Sequence, residues 1–307
     1  MKSSKVNKSS EYENGLVSIA IPAYKRTYLA EAIESTLNQT YNNIELIIVN
    51  DHSPYDLDSV VGQYDDKRIR YYKNRRNLGR RSIVYNWNRC IDYAKGEFFV
   101  LLCDDDVLMP NFVSDLLKLA AKYPKCNVFH ARKIEKDENT GSLTNTPGWP
   151  EFEEYESFIK QYFNNNRRHT ISEFMYRTST IKRIKYKVFP VGFYSDDVSL
   201  IQFSIDGGIA SSNESLLMFR FSDEHISSNG NYNIGKVRAM RKYLRWIKRN
   251  SCCKKYYTTK KEQETSIAIE YFLKCNGLKK IITIPYLPWT RTNLRIIRRE
   301  LYKMILN

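Results

Sequence analysis

Short apolar runs and helical stripes alternate along the first 130 residues. Val17 to Ile21 is apolar and ends at Pro22, after which Leu29, Ile33 and Leu37 share one stripe at helical spacing, predicting a strand, a turn and a helix. Ile44 to Val49 is a second run, rich in β-branched residues and closed by Asn50, Asp51, His52, Ser53 and Pro54. Leu57, Val60, Val61 and Tyr64 recur at helical spacing, and Ile69 to Tyr72 predicts a third strand. Ile83, Trp87, Cys90, Ile91 and Ala94 space out the next helix, with Gly96 read as its C-cap before a fourth strand, Phe98 to Cys103. Beyond Pro110 the stripe Phe112, Leu116, Leu119 and Ala120 predicts a helix that stops near Pro124, and Val128 to Ala131 a fifth strand.

Strands alternating with helices at this spacing mean β-α-β units and a mostly parallel sheet. Such sheets bind ligands beyond the carboxyl ends of their strands. Chemistry is therefore sought at Pro22 to Arg26, Asn50 to Ser53 and Asp104 to Asp106. From 136 to 195 the periodicity weakens, with turn signals at Asn139 to Gly141 and Pro147 to Pro150, so irregular structure with one or two helices is expected. Asp197 to Ile205 reads as a helix ended by Gly207 and Gly208, and Ser215 to Phe221 as a strand. Past 236 the pattern is helical, broken at Ile284-Pro285 and Leu287-Pro288.

Composition narrows the class. With 307 residues, 42% hydrophobic and 27% charged, the chain can bury a substantial core and is not disordered as a whole. Its longest apolar run, Phe98 to Cys103, is far short of the roughly 18 residues that span a bilayer, and the start MKSSKVNKSSEYENG has no apolar h-region. A cytoplasmic protein without a secretory signal is expected. Six cysteines without a CxxC pair, alongside four histidines, fit neither a disulfide scaffold nor a thiolate zinc site. The net charge of +15 is placed unevenly: residues 236–307 hold 19 Lys and Arg against 4 Asp and Glu, which leaves 30 of each sign in the rest. A neutral body with a basic final quarter points to an anionic partner surface, lipid headgroups or nucleic acid.

Among candidate chemical groups, Asp104-Asp105-Asp106 directly after an apolar strand stands out. Adjacent carboxylates repel, so either a cation neutralises them or water surrounds an acidic turn that caps the following helix. Mg²⁺ typically takes one or two carboxylates plus substrate phosphates. Asp51 could accept hydrogen bonds from a base or ribose, or simply form a turn before Ser53-Pro54. Arg26, Arg80 and Arg81 near the same edge could pair with a diphosphate, or be ordinary surface arginines. Neither GxxxxGK[ST] nor GxGxxG occurs, so kinase-like and NAD-binding readings lack their fingerprint. Asp196-Asp197 opens a predicted helix, where the macrodipole alone would favour such a pair.

The runs VSIAIPAYKR, IELIIVNDHS and NRRNLGRRSIVYNWNRCIDYAKGEFFVLLCDDDVLMP together resemble the N-terminal half of family 2 glycosyltransferases, over roughly residues 16–130. The resemblance implies the GT-A fold, an α/β architecture with a Rossmann-like, mostly parallel sheet. It also implies inverting transfer of a sugar from a nucleotide sugar, usually UDP-linked, to an acceptor hydroxyl. Pro22, Ala23, Tyr24, Arg26, Asp51, Asn77, Gly79, Arg81, Asp104 and Asp105 then correspond to nucleotide-sugar contacts. The acidic run overlaps the family's DXD motif: against the common Asp-Ala-Asp-Asp form, Cys103 replaces the first aspartate, Asp104 takes the variable position and Asp105 the metal-ligand position. Asp105 and Asp106, with His225, are the implied ligands of Mn²⁺ or Mg²⁺. More weakly, FYSDDVSLIQFSIDGGIASSNESLLMFRFSDEHIS is similar to the family's acidic pair, helix, glycine, strand and final arginine. Asp197 falls on the catalytic aspartate and Asp196 on the usual glutamate; a carboxylate there serves as general base, worth about 10² to 10⁴ in rate.

The division implied is a flexible tail at 1–15, a GT-A domain at 16–235 made of a nucleotide-binding half (16–110) and an acceptor-binding half (111–235), and a basic helical extension at 236–307. Leu294, Ile297, Leu301, Met304 and Ile305 form an apolar stripe between arginines, which fits an anionic membrane interface or a helix packed on the domain. Expected partners are a UDP-sugar, a glycan or lipid-linked acceptor and the cytoplasmic face of the membrane, with no nucleic acid. A catalytically silent GT-A domain acting as a scaffold stays open, motivated by Cys103.

Overall fold

The computed structural model describes residues 12–221, 232–275, 283–287 and 294–300. The chain opens with β1 (Glu13–Ile21), α1 (Leu29–Leu37), β2 (Ile44–Asn50), α2 (Asp58–Val61), β3 (Ile69–Lys73), α3 (Val84–Tyr93) and β4 (Gly96–Leu101). After a two-residue strand β5 (Val107–Leu108) come α4 (Phe112–Lys122), β6 (Val128–Asp137), β7 (Leu143–Asn145), β8 (Phe152–Glu153) and α5 (Tyr155–Phe163). Then follow β9 (Phe174–Arg177), α6 (Thr178–Ile184), α7 (Ser195–Phe203), β10 (Ile209–Phe221), α8 (Asn233–Arg249) and α9 (Tyr257–Leu273).

The strands form one sheet in the order β3-β2-β1-β4-β9-β6-β10-β5, with β7 on β6 and β8 on β10. β3, β2, β1 and β4 are all parallel. β2, IELIIVN, is buried at every position, as expected of a parallel strand covered on both faces. Its side chains alternate between two cores. Ile47 and Val49 join Ala20, Phe99 and Leu101 under Val84, Trp87 and Ile91 of α3, whereas Leu46 and Ile48 join Ile19, Ile21 and Val100 under Leu29 and Ile33 of α1 and Phe112 and Leu116 of α4. Each such fully buried side chain contributes about 1.5–3 kcal/mol. The period-two pattern therefore fixes the register, because a one-residue slip would exchange the two faces.

Several elements depart from the sequence expectation. The 57–64 stripe yields only the four-residue α2, since Gly62 ends it, while Leu57, Val60 and Val61 are buried as the stripe requires. Gly96 does not cap α3. It starts β4, where a Cβ would meet the Leu16 carbonyl oxygen at 2.4 Å, so close approach to β1 is what requires glycine. β6 continues past Ala131 to Asp137 because it pairs with the long β10. The weakly periodic 136–195 region contributes β9, which inserts antiparallel between β4 and β6 and interrupts the parallel run. Gly207 and Gly208 lie beyond α7 with φ of +96° and +72°, and Cβ atoms there would strike the carbonyls of Lys125 and Glu153.

The C-terminal helices pack on the same body. Ala239, Tyr243, Leu244 and Ile247 of α8 enter the core that covers α3, leaving Arg238, Arg241, Lys242, Arg245, Lys248 and Arg249 on the exposed face. Ile297 packs with Val237, Met240 and Phe272. Leu301, Met304 and Ile305 lie outside the described residues.

Candidate functional site

β1 and β4 are neighbours in register, Ala20 opposite Leu101, so their carboxyl ends deliver Pro22–Arg26 and Asp104–Asp106 to the same place. The three carboxylates are almost wholly buried, at 1–5% exposure, which excludes the water-surrounded acidic turn. Each has its own holder. Asp104 Oδ2 accepts the backbone N–H groups of Tyr24 (2.8 Å) and Lys25 (2.7 Å). The Lys25 ammonium donates to Asp105 Oδ2 and lies 3.7 Å from Asp104 Oδ1. Asp106 Oδ2 accepts the Ser172 hydroxyl at 2.6 Å, and Oδ1 the Arg220 N–H at 3.3 Å.

Arg220 lies beneath this edge, fully buried. Its Nε donates to the Asp105 carbonyl (3.0 Å), its two other nitrogens reach Glu31 and Glu138, and its guanidinium stacks 4.0 Å from the Tyr28 ring centroid. It clasps the acidic turn between α1 and β10.

Burial shifts these groups. It pushes the Asp104 carboxyl up to about 6 against Lys25 and the two backbone donors. It pushes Asp106 up to about 8, helped by the neighbouring Asp105. The Cys103 thiol is driven well up by burial and by the same carboxylates, so it is neutral at neutral pH. Burial would depress the Lys25 ammonium, but Asp104 and Asp105 outweigh it and keep the group charged. Asp105, Asp106 and Cys103 offer ligand atoms within 4.8 Å of one another. Of these, the two aspartates offer the oxygen ligands that a hard divalent cation takes, and the lysine ammonium drawn onto Asp105 marks the edge as one that accepts a positive charge.

The other nucleotide-side candidates gather at the same end of the sheet. Tyr24 is 39% exposed, and Arg26 and Arg81 are exposed. Ala23 is buried and extends the β1–β2 pairing through its N–H to the Val49 carbonyl (3.0 Å), while Pro22 is half-buried. Both Asp51 oxygens are taken by the chain: Oδ1 accepts from Asn74 Nδ2 (2.8 Å) and Leu78 N (2.9 Å), Oδ2 from Gly79 N (2.7 Å). Asn77 Oδ1 accepts the Arg80 N–H at 2.9 Å. Asp51 and Asn77 thus fix the loop that carries Arg80 and Arg81. His225 lies outside the described residues.

Asp196 and Asp197 open α7 behind Tyr194, which adopts a left-handed φ of 64°. Burial and the adjacent Asp197 push the Asp196 carboxyl up to about 6. Asp197 is partly open, with 26% of its side chain exposed, and its Oδ1 lies 3.7 Å from His169 Nε2. Its charge is felt by Tyr162 of α5, Tyr194, Tyr243 of α8 and Lys260 and Glu264 of α9. The C-terminal helices therefore wall the second acidic site. Lys25 lies inside the Pro22–Arg26 stretch that the strand-end argument marks but is not singled out there, and sequence reasoning missed His169, Ser172 and these wall residues. One signal was present: Thr170-x-x-Glu173 ahead of the apolar Phe174 to Tyr176 is a capping-box pattern, and the box is formed.

Residues 18–205, more than half the chain, match glycosyl transferase family 2. The chain belongs to this family. An uncharacterized glycosyltransferase of Methanocaldococcus jannaschii is 29% identical over 182 residues, covering 57% of this chain and 60% of that one. The GalNAc(5)-diNAcBac-PP-undecaprenol beta-1,3-glucosyltransferase of Campylobacter jejuni is 36% identical over 126 residues, 40% of each chain. Both matches span less than two thirds of the relative. The S. aureus TarS 1-349 structure in complex with UDP-GlcNAc superposes with a TM-score of 0.61 at 16% identity, over 84% of this chain and 72% of that one, which shows the shared GT-A-like fold. Among the described residues no helix is long and apolar enough to cross a membrane.

Proposed function

We propose that this member of the family transfers a sugar from a UDP-sugar to an acceptor hydroxyl with inversion at the anomeric carbon. The observation that carries the reading is the buried acidic edge that already holds a cationic group, Lys25 on Asp105, at the carboxyl end of the central strands. Family membership supports it, as do the UDP-GlcNAc complex of TarS and the undecaprenol-linked substrate in the name of the C. jejuni enzyme.

Asp105 and Asp106 would hold Mn²⁺ or Mg²⁺, which when bound offsets charge growing on the diphosphate leaving group. The exposed Tyr24 ring offers a face for the base, and Arg26 and Arg81 supply guanidinium groups for phosphate oxygens. Asp197 takes the proton of the acceptor hydroxyl as that oxygen bonds to the anomeric carbon. The bond from that carbon to the phosphate oxygen breaks, and its electron pair leaves with UDP. The donor is a hexose or N-acetylhexosamine, and the acceptor a glycan or a lipid-linked saccharide used in surface polysaccharide or glycolipid assembly. The basic outer face of α8 would attach the enzyme to the anionic cytoplasmic leaflet, each Lys or Arg adding about 1 kcal/mol near the surface.

A silent scaffold is the second reading, favoured by Cys103 in the acidic motif. UDP-sugar turnover with Mn²⁺ separates the two. Turnover by the parent that Asp105→Asn abolishes supports the enzyme; equal background rates for both support the scaffold.

A further inference from the structure

The chain between α5 and β9 touches both acidic sites within six residues. At one end Arg167 pairs with Glu153 of β8 through two bonds, Nε to Oε2 (2.7 Å) and its terminal nitrogen to Oε1 (2.9 Å). Next, His169 Nδ1 lies 3.3 Å from the Arg167 carbonyl, the geometry of an N–H donor, which aims the other nitrogen at Asp197. That Nε2 is buried and has no hydrogen-bond partner. Three residues on, the Ser172 hydroxyl donates to Asp106 and accepts the Cys103 N–H at 3.0 Å. The far end is anchored by Glu173. Its carboxylate accepts Lys133 Nζ (2.9 Å), His130 Nε2 (3.0 Å) and the Thr170 hydroxyl (2.9 Å), in a site 1–3% exposed.

We infer that residues 167–173 form a rigid strap that positions both carboxylate centres, Ser172 setting Asp106 at the metal edge and His169 setting Asp197 at the acceptor edge. The inference rests on the roles proposed for those aspartates. With Nδ1–H on the carbonyl, Nε2 can hydrogen-bond a carboxylate only from the imidazolium, which carries an N–H on both ring nitrogens; in that form Asp197 completes the otherwise unpartnered buried Nε2. Here the nearest charged group is the one carboxylate that has to be aimed at a hydroxyl. Positioned groups lose rate steeply when displaced, by about a hundredfold for 1 Å. Double anchoring, at Glu153 on β8 and at Lys133 and His130 on β6, is what such an element needs. His169 and Ser172 act through the aspartates and are positioning residues.

The test separates binding from turnover. His169→Asn keeps a donor for the Arg167 carbonyl but removes Nε2; kcat should fall about tenfold, with UDP affinity in Mn²⁺ unmoved. His169→Gln, whose amide reaches the Nε2 position, should restore most of that rate. Ser172→Ala should weaken UDP binding in Mn²⁺ about tenfold by titration calorimetry. Lys133→Met, which loosens the anchor, should move both observables; Arg167→Lys makes the same test at the other anchor if that variant does not fold. The inference is overturned if His169→Asn turns over like the parent, if His169→Gln gives no rescue, or if folded anchor variants leave both observables unchanged. Parent turnover that Asp197→Asn abolishes would leave the proposed function standing in each case.

Discussion

The two acidic sites are built on opposite plans. At Asp104–Asp106 every carboxylate is buried and held by groups from the β1 exit, by the Ser172 hydroxyl and by the Arg220 backbone N–H. At α7, Asp197 stays partly open, and its surroundings come from α5, α8 and α9 rather than from the sheet. The first plan suits a group that must stay fixed around a cation, since displaced ligands lose the ion. The second suits a base that must meet a variable partner, because helices and loops can change without disturbing strand pairing. On the function proposed, donor chemistry would sit on the sheet-held half of the molecule and acceptor chemistry on the half assembled from distant pieces.

Four substitutions probe this contrast. Asp197→Asn has the largest expected effect: kcat should fall about 10² to 10⁴-fold, while the melting temperature hardly moves because the side chain is partly solvated. A large stability loss would show that the α7 site is as embedded as the other.

Arg220→Met should do the reverse, destabilising by about 3 kcal/mol in denaturant melts as the Asp105 carbonyl, Glu31 and Glu138 lose a buried partner. Unchanged stability would mean the clasp is ornamental.

Glu173 gives the pH-dependent case. Burial pushes its carboxyl up, but the His130 N–H and the Lys133 ammonium outweigh it and hold the group at about 2, below the ordinary 4.5. A depressed folded value stabilises above the unfolded one, so this contribution, about 3 kcal/mol, is present at neutral pH. It is lost as pH falls from 4.5 towards 2. Glu173→Gln should melt lower at pH 7 and show a flatter acid limb; an identical limb would remove Glu173 as its source.

Lys25→Met is the mildest. It should cost about 2 kcal/mol in metal-free protein, and added Mn²⁺ should recover more of the loss than it adds to the parent. Equal Mn²⁺ effects would mean that the ammonium and the metal do not share Asp105.

How legible each half was in the sequence follows the same divide. β2 as IELIIVN, the α1 stripe and the acidic run after β4 were readable because strand and helix periods are local signals. Lys25 was not, although adjacent to Tyr24, because its role depends on β1 and β4 being neighbours in the sheet. Gly96 misled for the same reason: a glycine after a helical stripe reads as a cap, while its cause is the Leu16 carbonyl across the strand gap. The 136–195 region hid His169 and Ser172 because β7, β8 and β9 are two to four residues long, too short to show a period. The wall of Asp197 comes from Tyr243, Lys260 and Glu264, at least 46 residues away in the chain, where no spacing rule operates.

Mn²⁺ anomalous scattering from crystals grown with UDP would reveal whether the buried acidic edge grips a divalent cation and through it a diphosphate. The expected result is a peak in coordination contact with Asp105 and Asp106, the diphosphate bridging to it and the Lys25 ammonium displaced. A peak elsewhere, or UDP bound with Lys25 still seated on Asp105 and no metal at that edge, would contradict it.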